Sequence, residues 1–96
     1  MARLPRIVIP NQPLHIMHRG NNRQHLFNTE EDMLRIKDDI AHGLKKSGCS
    51  LHAYVIMTNH LHLLITPESK DQLAIFMQAM ANRYVRYFKK SRGQPA

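Results

Sequence analysis

Cysteine occurs once in the 96 residues, as Cys49, and tryptophan does not occur. One thiol cannot close an internal disulfide, so a stapled secreted scaffold is excluded and the expected location is cytoplasmic. No apolar run approaches the roughly 18 residues of a membrane span. The opening Met1 to Arg6 leads into a stretch too short for a signal peptide. Paired CxxC, HExxH, GxSxG and a phosphate-cradling glycine loop are all missing, which removes the commonest zinc, hydrolase and nucleotide signatures.

Acidic residues are few as well, 7 against 14 Lys and Arg, for a formal charge of +7. Five of the acids (Glu30, Glu31, Asp32, Asp38, Asp39) crowd into one stretch, and both ends of the chain are left cationic. Arg3, Arg6, Arg19 and Arg23 precede them, and Arg83, Arg86, Lys89, Lys90 and Arg92 close the sequence. A polyanion such as nucleic acid suits that distribution, because each neutralised phosphate releases condensed counterions. A merely solvated basic surface accounts for the charge equally well.

Hydrophobic periodicity organises the chain as one domain over residues 1–96, with an arm over 1–12, a core over 13–92 and a tail over 93–96. Pro13 to Arg19 alternates like a strand, with Leu14, Ile16 and His18 on one face and His15, Met17 and Arg19 on the other. Gly20-Asn21-Asn22 ends it with turn chemistry. Thr29 followed by Asp32 reads as a capping box, and Met33, Ile36, Ile40 and Leu44 form a stripe, so a helix is expected over 29–46, stopped by Gly48. Leu51 to Met57 and His60 to Thr66, parted by Thr58-Asn59, read as a β-hairpin. Ser69 with Gln72 repeats the capping signature, and Leu73, Phe76, Met77, Met80, Tyr84 and Phe88 recur at helical spacing, so a second helix is expected over 70–90. The order β-α-β-β-α is an α+β arrangement and five of the six elements of a ferredoxin-like (RRM-like) split unit, with the last strand missing. The chain therefore reads as cut inside a fold, with a bare sheet edge along which two copies could pair.

His60-Leu61-His62 is the sharpest chemical feature. Residues i and i+2 of a strand face the same way, so both imidazoles can converge on one ion while Leu61 and Leu63 pack on the other side. Two imidazoles leave most positions of a divalent cation open, which suits catalysis better than a closed structural site. Beside a basic groove, such an ion can polarise a phosphodiester. The plain alternative is a pair of half-exposed strand histidines bonded to solvent or backbone. His15 or His18 can approach the pair if their strand neighbours it. Arg19, Asn21, Asn22 and Arg23 form a polar turn suited to phosphate contact, and Arg83, Arg86, Lys89 and Lys90 supply a second cationic candidate for DNA. His25 and His42 read as surface residues, and Tyr54 and Tyr84 as core.

Three segments carry a family resemblance: HIMHRGNNRQHLF (15–27), HAYVIMTNHLHLLITP (52–67) and FMQAMANRYVRYFKK (76–90). In that order they resemble the N-terminal part of single-tyrosine HUH transposases, in particular those associated with repetitive extragenic palindromes in bacteria. The resemblance implies a metal site at His60 and His62 using Mg²⁺ or Mn²⁺, and strand cleavage and joining on hairpin-bearing single-stranded DNA. It also implies a tyrosine nucleophile on a helix after the fourth strand, which these residues do not contain. Tyr84 and Tyr87 match the RYVRYF segment and not the nucleophile segment, so the nucleophile has no assignment and the chain alone is expected to be inactive. The alternative is a non-catalytic nucleic-acid-binding module of RRM-like shape, a truncated or domesticated relative.

Overall fold

The computed structural model describes residues 7–20 and 25–93. The elements are β1 (Leu14–Arg19), α1 (Glu30–Ser47), β2 (Ser50–Ile56), β3 (His60–Thr66) and α2 (Lys70–Ser91). The sheet is antiparallel with order β1-β3-β2, so the β1-α1-β2 connection straddles β3, as in a ferredoxin-like core. Among the described residues no strand pairs with the outer edge of β1.

Alternation in β3 divides the sheet into two faces. Leu61, Leu63 and Ile65 are at most 1% exposed and pack with Ile16 of β1, Ile36 and Ile40 of α1, and Leu73, Phe76, Met80, Tyr84 and Phe88 of α2. Each such side chain contributes about 1.5–3 kcal/mol by leaving water. Among the described residues no helix covers the opposite face, which bears His60, His62 and Leu64. Val55 and Tyr54 of the outer strand β2 remain exposed. Tyr54, expected in the core, lies opposite Leu63 and so on the helix side, yet it is 44% exposed because its strand forms the border of the sheet.

The caps follow the sequence closely. Thr29 accepts from the Asp32 backbone and the Asp32 side chain accepts back, a complete capping box, and Gly48 ends α1 in the left-handed region at φ 80°. At α2 the Ser69 hydroxyl accepts from the Gln72 N–H, but the Gln72 side chain takes the N–H of Glu68 instead of that of Ser69. Within the expected arm, Val8 packs against the core and Asn11 donates to the Pro67 carbonyl at 2.8 Å.

Two close contacts lie along the helix pair. At Gly43 the helices approach so closely that a Cβ would lie 3.0 Å from the Phe76 ring and 3.1 Å from its carbonyl. At the other contact, Asp32 is 1% exposed and receives the Tyr87 hydroxyl at 2.7 Å, the Arg92 guanidinium at 2.9 Å, and the backbone N–H groups of Asn28 and Thr29. Burial alone would raise its pKa. The hydrogen bonds from Arg92, Tyr87 and the two amides outweigh burial and hold the carboxyl well below the usual range.

Gly43→Leu is expected to destabilise the fold by about 1–3 kcal/mol, read as a lower urea midpoint, because the Phe76 backbone cannot move aside. Asp32 is depressed in the folded state, so its contribution is present above the unfolded carboxylate pKa of about 4 and is lost as pH falls below it. Acid unfolding of Asp32→Asn is therefore expected to show a shallower dependence between about pH 4 and pH 2 than that of the parent chain.

Candidate functional site

The hairpin tip fixes one end of the site. The Thr58 carbonyl accepts from Leu26 N at 2.7 Å and from Phe27 N at 3.0 Å, and the Asn59 carbonyl accepts from Gly20 N at 3.2 Å. These bonds place the tip against the segment that follows β1 and set Asn59 at the start of β3. His60 Nδ1 then lies 2.6 Å from Asn59 Oδ1. A carboxamide oxygen only accepts, so His60 donates from Nδ1, and in the neutral ring Nε2 carries the lone pair.

His62 lies between Met17 of β1 and Val55 of β2 in the ladder register. Its Nδ1 shares a 2.9 Å hydrogen bond with Nε2 of His15, which stands opposite Leu64, the next position on the same face of β3. The His60 and His62 ring centres are 4.8 Å apart, in an edge-on arrangement. Two imidazoles bound cis on a six-coordinate ion through bonds of about 2.1 Å hold their ring centres roughly 4.6 Å apart. The observed ring separation is compatible with such a pair, and both Nδ1 atoms are engaged while both Nε2 atoms are left without a partner among the described residues. Partial desolvation and the neighbouring His60, His15 and Arg19 push the His62 pKa below its ordinary value, which favours the neutral, ligating form. Among the described residues no group of three His, Cys, Asp or Glu is arranged to hold a metal, so a third donor would have to be water, substrate or another segment.

The cationic candidates separate. Arg19 is exposed on the open face and faces His60 in the register, so it shares the histidine side of the sheet. Lys89, on α2, lines a cavity of about 360 Å³ together with His18, Arg19 and Gly20, and so reaches the same end of β1. Arg83 does not join them. Its Nε lies 3.1 Å from Asp39, which is fully buried, and its Nη2 lies 3.3 Å from Asp38, so it ties α2 to α1. Arg35 also reaches Asp39, at 3.1 Å. Burial raises the Asp39 pKa, and the two arginines oppose that rise. Arg86 lines a shallow groove of the helical layer with His42 and Lys46, a groove that neither His60 nor His62 lines, and Lys90 is exposed. Asn21, Asn22 and Arg23 lie outside the described residues.

His18 faces the helices. Its Nδ1 is buried with no hydrogen-bond partner among the described residues, and burial lowers its pKa. His25 and His42 are exposed. The Tyr84 hydroxyl donates to the Leu26 carbonyl within the core, and burial drives its pKa far upward. Desolvation and the bond to Asp32 push Tyr87 up to about 12. Sequence reading named His15 only as one of two histidines able to approach the pair; the diagonal contact across β1 and β3 selects it.

Arg83→Ala is expected to lower stability by about 1–3 kcal/mol in a denaturant titration, because it strips a partner from a buried carboxylate. Lys90→Ala is expected to leave stability within about 0.5 kcal/mol. A DNA effect of Arg83→Ala is thus interpretable only after correction for its effect on folding.

No helix among the described residues is long and apolar enough to cross a membrane. No curated protein matches the chain. A crystal structure of a Deinococcus radiodurans R1 protein, described as a candidate transposase, is similar with a TM-score of 0.64 at 21% identity; the match covers 93% of this chain and 68% of that one. At that identity the likeness establishes the fold. The profile described as "Transposase IS200 like" matches residues 9–94. With nearly the whole sequence so matched, the chain belongs to the IS200-like transposase family.

Proposed function

We propose that this chain is the metal- and DNA-binding portion of an HUH-type transposase that acts on hairpin-bearing single-stranded DNA. The observation that carries the reading is the pair of Nε2 atoms of His60 and His62, presented on the open face of the sheet with Arg19 beside them. His60 and His62 would hold Mg²⁺ or Mn²⁺, which when bound supplies a Lewis acid that polarises the phosphodiester. Arg19 sits where it can contact a phosphate at that bond, and Lys89 can continue the contact around the end of β1. Asn59 holds the His60 ring in place, and the leucines on the other side of β3 keep the strand from shifting.

None of the three tyrosines of the chain suits the role of nucleophile. Tyr84 is spent on a backbone carbonyl, Tyr87 on Asp32, and Tyr54 lies on the face of the sheet opposite the histidines. The reading therefore assigns the attacking hydroxyl to a residue outside this sequence, and assigns to this chain the work of binding DNA and placing the ion. The non-catalytic alternative makes the same assignment for the chain alone and differs only in whether a nucleophile is ever supplied.

The test combines metal and DNA binding. Calorimetry or Mn²⁺ electron paramagnetic resonance is expected to show one Mn²⁺ site that His60→Ala and His62→Ala each abolish, with the circular dichroism spectrum unchanged. Unaltered Mn²⁺ binding in both variants would refute the metal reading. Affinity for a hairpin-bearing single strand is expected to fall with salt at a log–log slope of about −3 if four phosphates are neutralised, and a flat response would remove the DNA reading. Incubation of that strand with the chain and Mn²⁺ is expected to give no adduct that survives denaturant; an adduct would place a working tyrosine among Tyr54, Tyr84 and Tyr87.

A further inference from the structure

His15 and His62 are two of a kind in composition but not in placement. His62 stands mid-strand on β3, and His15 reaches it diagonally from β1, a distance that a long planar side chain can span. Their ring centres are 5.1 Å apart with planes inclined by 11°. A 2.9 Å N···N contact plus about 1.15 Å from nitrogen to ring centre on each side reproduces that separation, so the rings meet edge to edge in a shared plane, the geometry of an in-plane hydrogen bond.

Imidazole has two nitrogens, and the proton on one decides what the other can do. If His62 donates from Nδ1, its Nε2 carries the lone pair needed by a cation. If His15 donates instead, the His62 proton moves to Nε2 and the ligand is lost. Asn59 settles the same question for His60 by offering an oxygen that can only accept.

Resting on the reading of His60 and His62 as metal ligands, we propose that His15 is a positioning residue, whose Nε2 accepts the Nδ1 proton of His62 and thereby keeps the His62 Nε2 unprotonated and aimed alongside that of His60. His15 does not itself ligate, because its reaching nitrogen is committed to His62. Partners of this kind hold the tautomer and the ring orientation of a ligating histidine, and their loss commonly weakens metal binding by about 10–100-fold.

Long-range proton–nitrogen NMR of the metal-free chain, with histidine labelled at both ring nitrogens, reads the tautomer directly. The expected result is a fixed Nδ1–H form for His62, which His15→Ala converts into a mixture and His15→Gln, carrying a carbonyl acceptor, largely restores. In parallel, Mn²⁺ affinity is expected to drop about 10–100-fold in His15→Ala and to recover in His15→Gln. His15 is exposed, so the urea midpoint of both variants is expected to match that of the parent and serves as the control for folding. An unchanged His62 tautomer and unchanged affinity in His15→Ala, with binding still abolished by His62→Ala, overturns the role of His15. Mn²⁺ binding that survives both His60→Ala and His62→Ala overturns the metal reading instead, and the proposal for His15 falls with it.

Discussion

The two-residue period of β3 is the constraint on which the molecule depends. Because the strand is central, its apolar side chains must meet the helices and its remaining side chains must face away. A slip of one residue against either neighbour would expose Leu61, Leu63 and Ile65 and bury both histidines. The free energy that holds the core therefore also holds the imidazoles on the open face, and no separate device is needed to orient them.

That coupling explains what could be read from the sequence. Placing His60 and His62 on one side required only that 60–66 be a strand, and a strong alternating pattern between turn residues supplied that. The helices were equally plain, since their stripes and caps are local signals; each came within a residue of its expected limits. The contact of His15 with His62 was not legible, because a diagonal contact depends on the register between strands distant in sequence, which alternation leaves open. Tyr54 shows the same limit. Its side of the sheet follows from the period, but its exposure depends on β2 being the border strand.

Charge behaved less simply than its distribution along the chain suggested. The acidic stretch of α1 and the basic end of α2 are one structure: Arg83 meets Asp38 and Asp39, and Arg92 meets Asp32. Part of the basic surplus is thus spent on ion pairs between the helices, and those to the buried Asp32 and Asp39 are costly to break because they leave a desolvated carboxylate unpaired. Among the described residues, those open to a polyanion are the ones that pair with no acid, Arg19 above all. A formal count of charges overstates the surface available to DNA, and the location of the pairs tells which arginines to discount.

The hairpin tip is moored from two sides. Leu26 and Phe27 donate to the Thr58 carbonyl and Gly20 donates to that of Asn59, so the exit of β1 and the approach to α1 hold the same two residues. The Asn59 side chain in turn holds the first imidazole of β3. A substitution that loosens either mooring is therefore felt at His60, well away along the chain from where it is made.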